Sequence, residues 1–432
     1  MIALTLLIAL IMLGLLFLGF PMLVPLLVSA LAVLALYFPD AGGTILVQQA
    51  IGGVSPSALL AVPMFIFAAD IMTRGQAADR LLNLIMAYAG HLRGGLPISA
   101  AVGCTLFGAI SGSTQATVMA IGGPLRPRML MAGYPSSFAT ALIINASDIA
   151  LLIPPSIGMI VYGVVTGASI GELFIAGIGP GLMILAFFCV YCYAASVRMD
   201  IPLEPRASRQ ERMAAARRAA LPLGFPVIII GGIYTGWFSP TEAAAVSVAY
   251  ALLLELVVYR ELSPRDIPSI ALSTGMVTAV VFVLVGAGAA FSWVIAFAEL
   301  PQAIVNDMLG LSADSGYYTI LFVIAAAYFI GCMFVDPIVV ILILAPIFHP
   351  IAVDAGIDPV LVGIVATLQV AIGSATPPFG CDIFTAVAVF RRPYLEIIRG
   401  TPPFIAMLLL SSALIIVFPQ IALFLRDVAF GR

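Results

Sequence analysis

Lysine is absent: all 18 basic side chains among the 432 residues are arginine. Charged residues make up only 9% of the chain against 62% hydrophobic, with a mean hydropathy of +1.18. A soluble globular domain carries roughly a quarter charged residues, so this composition indicates a polytopic membrane protein. With a net charge of −3 and no basic stripe, nothing suggests nucleic acid as a partner. Two histidines, His91 and His349, are too few and too far apart for a metal cluster. They also supply no nucleophile–base set of the kind a membrane-embedded protease or transferase needs. The five cysteines lie in apolar segments; Cys189 and Cys192 form a C-x-x-C inside a predicted span, without zinc or redox context. They read as small packing residues. The N-terminus lacks the positive start of a signal peptide and reads as a first membrane helix.

What is present is more specific. Residues 104–163 are apolar enough for a bilayer yet interrupted twice. The first interruption is Ser111-Gly112-Ser113-Thr114, and the second is Pro154-Pro155-Ser156. Broken backbone at membrane depth is tolerated only where protein or a wet cavity surrounds it. Its freed carbonyls and hydroxyls are then available to ligands. The layout recurs at an offset of 223, which carries Gly108 onto Gly331, Ser113 onto Asp336, Gly133 onto Gly356 and Pro154-Pro155 onto Pro377-Pro378. Paired broken segments in two halves of a chain point to the binding site of a secondary transporter.

Taken in order, spans of about 20 apolar residues are predicted at 2–19, 21–38 and 55–73, with a Gly-rich loop over Ala41–Val54. An interfacial arm (76–92), a re-entrant hairpin (96–132), a broken helix (135–166) and a span (174–197) complete the first repeat, 1–197. Residues 198–219, with six arginines against three acids, read as a cytoplasmic linker. The second repeat, 220–432, has spans near 220–238, 241–259 and 270–297 and an arm near 299–311. A hairpin (317–354), a broken helix (358–390) and a last span (402–425) follow. Each half then has five crossings plus a hairpin, and an odd count gives the repeats opposite orientations.

Arginine placement tests this topology, because positive charge marks the cytoplasmic side. Arg74, Arg80, Arg93, Arg126 and Arg128 surround the first hairpin, which should enter from the cytoplasm. Only acids, including Glu299, Asp307, Asp314, Asp354 and Asp358, surround the second, which should enter from outside. Arg426 and Arg432 are the two exceptions.

Half-helix N-termini favour anions, while carbonyl ends and hydroxyls suit Na⁺. The candidates are Ser111, Gly112, Ser113, Thr114, Asn145, Ser147, Pro154 and Ser156 in the first half. In the second they are Val335, Asp336, Thr376, Pro377, Gly380 and Asp382. A lone hydroxyl in a membrane helix ordinarily bonds back to its own turn; at a repeated break the functional reading gains. A charge at the bilayer centre costs roughly 3 kcal/mol or more, so Asp148, Asp336 and Asp382 need partners or a proton. Asp336, directly before Pro337, reads equally well as a helix cap. Asp70 and Arg74 are expected to form an interfacial ion pair, Arg126 and Arg128 to anchor the hairpin at the cytoplasmic surface, and Ser239 with Glu242 to open a helix.

Over nearly its whole length the chain resembles the large membrane subunit, DctM-like, of the TRAP (tripartite ATP-independent periplasmic) transporters. The carrying motifs are FGAISGSTQAT (107–117), LLIPPSIGMIVYGVVTGASIGELFIAGIGPG (151–181) and GCMFVDP (331–337), with VPMFIFAADIMTRG (62–75), GWFSPTEAAAVS (236–247) and TPPFG (376–380). The resemblance implies an all-α inner-membrane carrier of two inverted repeats, working as an elevator on a Na⁺ gradient. It also implies two partners, a separate small four-helix membrane subunit and a periplasmic binding protein that delivers a carboxylate such as a C4-dicarboxylate. No cofactor beyond the coupling ion is implied, and membrane lipid surrounds the chain. Sodium sites are implied at Ser111–Thr114 with Pro154–Ser156, and at Val335–Pro337 with Thr376–Gly380. Three positions depart from the family pattern: Asp148 replaces a small or hydroxyl residue, Asp382 an asparagine and Gln369 a frequent glutamate. The added acids leave a proton-coupled variant open, beside a stand-alone anion carrier that needs no binding protein.

Overall fold

The computed structural model describes residues 2–41, 43–203 and 205–431. Arg432, expected on the outer side, and Glu204, one of the linker acids, lie outside the described residues. The chain is about 81% helix, and no strand occurs among the described residues. Among the described residues six helices are long and apolar enough to cross a membrane, seven if a bent C-terminal pair counts as one span. Large apolar side chains such as Leu10, Phe17 and Phe322 point outward, a liability in water and a match to lipid chains.

Two helices occupy each of the segments predicted as hairpins. Gly95–Ser111 turns at Gly112-Ser113 into Thr114–Met131, and Tyr317–Cys332 turns through 333–336 into Pro337–Asp354. The first broken helix is Ser136–Ser147, a 3₁₀ turn at Asp148–Leu151 and then Ile157–Thr166. The second is Pro359–Ser374 followed by Cys381–Phe390. Pro154-Pro155 and Pro377-Pro378, the pairs related by the offset of 223, are both cis peptides.

Several expectations change. The Ala41–Val54 loop is largely a helix, Thr44–Val54. The offset of 223 explains it, carrying Thr44 and Arg74 onto Ile267 and Phe297, the ends of a single 31-residue helix. In the first half this unit is cut at Ser55-Pro56, since proline has no N–H and restrains the residue before it. The 198–219 linker is shorter, because Ser208 and Glu211 form a capping box that starts Arg209–Tyr234. Five linker-side arginines thereby decorate the first turns of a span or lie just before it. The last span bends by 56° between Pro402–Val417 and Gln420–Phe430, where Pro419 intervenes. Asp70 does not pair with Arg74: it accepts from Thr274 Oγ1 at 2.7 Å, while Arg74 reaches Ser269 Oγ at 3.5 Å. The Ser239–Glu242 capping box forms as expected.

Small residues govern the packing of Ile267–Phe297. A methyl group built on Gly53 would stand 2.2 Å from Ala289 Cβ, so Thr44–Val54 lies flush against the long helix. Gly286 faces the Ala50 carbonyl, and Gly288 faces Leu342 of the second hairpin. Ser292 Oγ donates to the Leu342 carbonyl at 3.0 Å. Close backbone approach at small residues is the usual solution where lipid provides no hydrophobic driving force.

Two arginines are deeper than the sequence suggests. Arg126 is buried rather than a surface anchor. Its Nε donates to Thr140 Oγ1 at 2.8 Å and an Nη to Ser136 Oγ at 2.7 Å; Ser136 in turn donates to Glu396. It ties the first hairpin to the broken helix that follows. Arg426 is also buried, against Asp358 and Asp427 at 2.6 Å and Glu172 at 3.7 Å. An arginine neutralised by three acids is weak evidence on topology, which accounts for this exception.

Candidate ion and substrate site

The first tip rests on both breaks. Gly112 is left-handed (φ 59°), and a methyl group there would stand 2.2 Å from the Pro155 carbonyl oxygen. Only glycine fits a positive φ at such close approach without cost. Two residues on, Thr114 Oγ1 donates to Asp382 Oδ1 at 2.7 Å, in the second break. Gln115 Nε2 adds a 3.4 Å contact to Cys381 Sγ. The second tip meets its own break through the backbone, where Phe379 N–H donates to the Met333 carbonyl at 3.1 Å. Gly380 is equally confined, since a methyl there would lie 2.3 Å from the Ser374 carbonyl oxygen.

The capping chemistry is repeated across the halves. Ser113 Oγ accepts from Ala116 N–H at 3.4 Å, and Ser156 Oγ from Met159 N–H at 3.3 Å. Asp336 Oδ1 accepts from Ile338 N–H at 2.9 Å, which realises the cap reading. Gly380 precedes Cys381–Phe390 without a side-chain cap. Four helix N-termini, with their positive dipole ends, thus begin at the tips and breaks. Opposite them end the helices that finish at Ser111, Cys332 and Ser374, presenting carbonyls.

Other predicted residues serve locally. Ser111 Oγ bonds Thr117 Oγ1 at 3.1 Å, Ser147 Oγ donates back to the Ile144 carbonyl and Thr376 Oγ1 to the Ile372 carbonyl. Pro154 and Pro377 shape the breaks, and Val335 N–H closes the second tip onto the Gly331 carbonyl at 3.1 Å. Ser374 was missed by sequence reasoning: its hydroxyl lies 2.7 Å from both Asp382 Oδ2 and the Ala371 carbonyl oxygen. Its place two residues before Thr376 was the only signal.

The three acids stand apart from one another in role. Asp336 caps a helix. Asp382 accepts one hydroxyl on each oxygen, from Thr114 and Ser374. Asp148, fully buried, lies beside Asp382 of the other half and the Ser374 hydroxyl. Asn145, one turn earlier, donates through Nδ2 to the Ala141 carbonyl at 2.8 Å, while its buried Oδ1 has no partner. The two acids singled out at the breaks are therefore neighbours.

A broken-hairpin site of this kind belongs to carriers, and comparison with known proteins agrees. The model of the tripartite ATP-independent periplasmic transporter, DctM component, matches residues 9–421. The chain belongs to this family. It is a TRAP transporter large permease, a multi-pass inner-membrane protein and not an enzyme. It is 65% identical to the ectoine/5-hydroxyectoine TRAP transporter large permease protein of Ruegeria pomeroyi, over 98% of each chain. It is 63% identical to the ectoine TRAP transporter large permease protein of Halomonas elongata, over 97% of this chain and 98% of that one. A C4-dicarboxylate TRAP large permease of Pseudomonas aeruginosa matches at 39% over 85% and 86% of the two chains. Among solved structures, the Alcanivorax borkumensis YdaH transporter shares the fold, with TM-score 0.65 over 95% and 97% of the chains at 14% identity.

Proposed function

We propose that this permease imports ectoine or a closely similar zwitterionic carboxylate, driven by a Na⁺ gradient. The observation that carries the substrate is the pair of ectoine permeases at 65% and 63% identity over nearly the whole chain, against 39% for a C4-dicarboxylate permease. Ectoine joins a carboxylate to a cationic amidine ring. The expectation of an organic acid is kept in that form, and the narrower one of a C4-dicarboxylate gives way. Two buried acids also oppose a dianion by charge.

The carboxylate suits the helix N-termini capped by Ser113, Ser156 and Asp336, and Na⁺ suits the neighbouring carbonyl ends and hydroxyls. One ion belongs with Ser111–Thr114 and Pro154–Ser156, a second with Val335–Pro337 and Thr376–Gly380. The offset of 223 supports two inverted repeats, 1–197 and 220–432, with the first hairpin entering from the cytoplasm and the second from outside. In this reading the core, 96–166 with 317–390, moves as an elevator against the remaining helices. A small four-helix subunit and a periplasmic binding protein act as separate chains.

Ectoine uptake into proteoliposomes holding the permease with its small subunit, fed by the binding protein, tests the proposal. Uptake should need a Na⁺ gradient and fail with choline, and Ser113→Ala or Asp336→Ala should raise the Na⁺ concentration needed at least tenfold. Equal uptake with either cation overturns sodium coupling.

A further inference from the structure

We propose that the cleft between the arm helix Ala77–Ala89 and the first turns of Arg209–Tyr234 binds the zwitterionic headgroup of a phosphatidylethanolamine lipid, with Arg80 and Arg218 on its phosphate and Asp79 and Glu211 on its ammonium. The site is separate from the tips and breaks, and it stands whether or not sodium drives transport.

The two helices present matched stripes. Gln76, Arg80 and Asn83 recur at four- and three-residue spacing on one, as do Glu211, Ala215 and Arg218 on the other, so each set shares a face. Between them lies a cavity of about 680 Å³, within the roughly 300–1,000 Å³ of ligand pockets. Tyr259 holds both walls. The Arg80 guanidinium lies over its ring, with Cζ 3.6 Å from the centre, and its hydroxyl donates to the Arg218 carbonyl at 3.5 Å. Arg80 also donates through an Nη to Gln76 Oε1 at 3.0 Å. A guanidinium carries its N–H donors in a flat fork, so stacking and the bond to Gln76 leave donors for a further acceptor. Across the cleft, Glu211 Oε2 accepts from the Ser208 N–H at 2.7 Å, and a carboxylate has lone pairs beyond that one bond.

Charges of both signs line this cleft without satisfying one another. Among the described residues the ion pairs gather on Arg126 and Arg426, and none involves Asp79, Arg80, Glu211 or Arg218. Two cations and two acids sum to zero, so a purely anionic headgroup would gain at the arginines and lose at the acids. Glu255, whose carboxyl group packs against Gly75 just ahead of the arm, adds a further acid nearby. A headgroup that joins a phosphate to an ammonium meets all four side chains. Arg209, Arg212 and Arg217 mark this end of the helix as a membrane boundary, where basic pockets between helices receive lipid headgroups. Leu221, three residues beyond Arg218 on the same face and 42% exposed, begins the apolar surface along which an acyl chain would run. That extension favours a lipid over a soluble zwitterion of the same chemistry.

The test is native mass spectrometry of the permease with its small subunit, released from nanodiscs of equal parts phosphatidylethanolamine and phosphatidylglycerol, counting the lipids retained. The wild type should retain phosphatidylethanolamine in preference. Arg218→Gln should cut that retention at least about fivefold, the worth of one cation near an interfacial phosphate. Asp79→Asn should instead turn the preference toward phosphatidylglycerol, an exchange that a merely misfolded variant would not show. Arg217→Gln, on the same helix but outside the cleft, is the control and should retain lipid as the wild type does. Melting with dihexanoyl-phosphatidylethanolamine or with soluble glycerophosphoethanolamine, at equal concentration, separates the two sources. Only the lipid should raise the melting temperature, and only with Arg218 in place. An equal rise from the soluble headgroup overturns the lipid as occupant. Retention unchanged in both Arg218→Gln and Asp79→Asn, or a wild type that prefers phosphatidylglycerol, overturns the site.

Discussion

Gly112→Ala isolates the contact between the first tip and the first break. An L-residue at φ 59° costs roughly 1–2 kcal/mol relative to glycine. The new methyl also lands 2.2 Å from the Pro155 carbonyl oxygen, a backbone atom that cannot rotate away. Overpacking of that kind costs typically 1–3 kcal/mol. The sum is about 2–5 kcal/mol, and the relief available is for the tip to lift from the break. Even the low end, about 2 kcal/mol, weakens a ligand held between them roughly thirtyfold. Gly123→Ala is the control, because a methyl there meets nothing within 4 Å on the same hairpin. Its helical position makes alanine neutral or stabilising by about 0.5–1 kcal/mol. The assay is a Na⁺ titration of melting temperature in the purified permease at constant ionic strength, following the linkage of ligand binding to stability. Gly112→Ala should need at least thirtyfold more Na⁺ for the wild-type shift. Wild-type Na⁺ response and melting temperature in Gly112→Ala would refute the tip–break assignment.

Arg426→Gln should lower stability by about 3 kcal/mol, read as an early melt, because it removes the cation that Glu172, Asp358 and Asp427 share. That is the low end for breaking a buried pair, since Asp358 and Asp427 are about a quarter exposed; Arg426→Lys should recover part of it. Gly53→Leu should cost about 1–3 kcal/mol by forcing Thr44–Val54 off Ala289, whereas Gly52→Leu, with open space, should not. Equal melting of the two would disprove the close helix contact. At Asp266, the Ser263 N–H and hydroxyl both donate at 2.8 Å and hold the carboxyl below its ordinary range. Its contribution is therefore full above the unfolded value near ~3.9 and is lost as pH falls through the lower folded value. The wild type should lose a small increment of melting temperature on that acid limb, and Asp266→Asn should lack the step.

Hairpins, breaks and capping boxes were legible because each leaves a local signature. A Pro-Pro pair, a hydroxyl before a helix and a polar run inside an apolar one are read without a partner. Thr44–Val54 was misread as a loop because Gly52, Gly53 and Pro56 punctuate it, although its counterpart in the second half is plainly helical. The bend near Pro419 went unseen inside an apolar run of span length. What could not be read locally is side-chain company. Thr114 with Asp382, Arg126 with Glu396 and Arg426 with Glu172 join residues more than 250 positions apart, and neither member of a pair announces the other. Asp148 and Asp382 were singled out as unusual acids, but their meeting came only from the fold.

The run Gly286-Ala287-Gly288-Ala289-Ala290 in the long helix has a mechanical consequence. On one side it is clamped to Thr44–Val54 by Gly53, and on the other it faces Leu342 of the second hairpin. In the proposed cycle one of these neighbours stays put while the other travels, so the run is a bearing. A surface without protruding side chains has low friction, because translation along it passes no interlocked knobs. In that cycle the Ser292–Leu342 hydrogen bond would work as a detent that marks one stop of the stroke. Bulk added here would cost speed before it cost affinity, and a slow carrier that still binds its ions normally is the phenotype to look for along this strip.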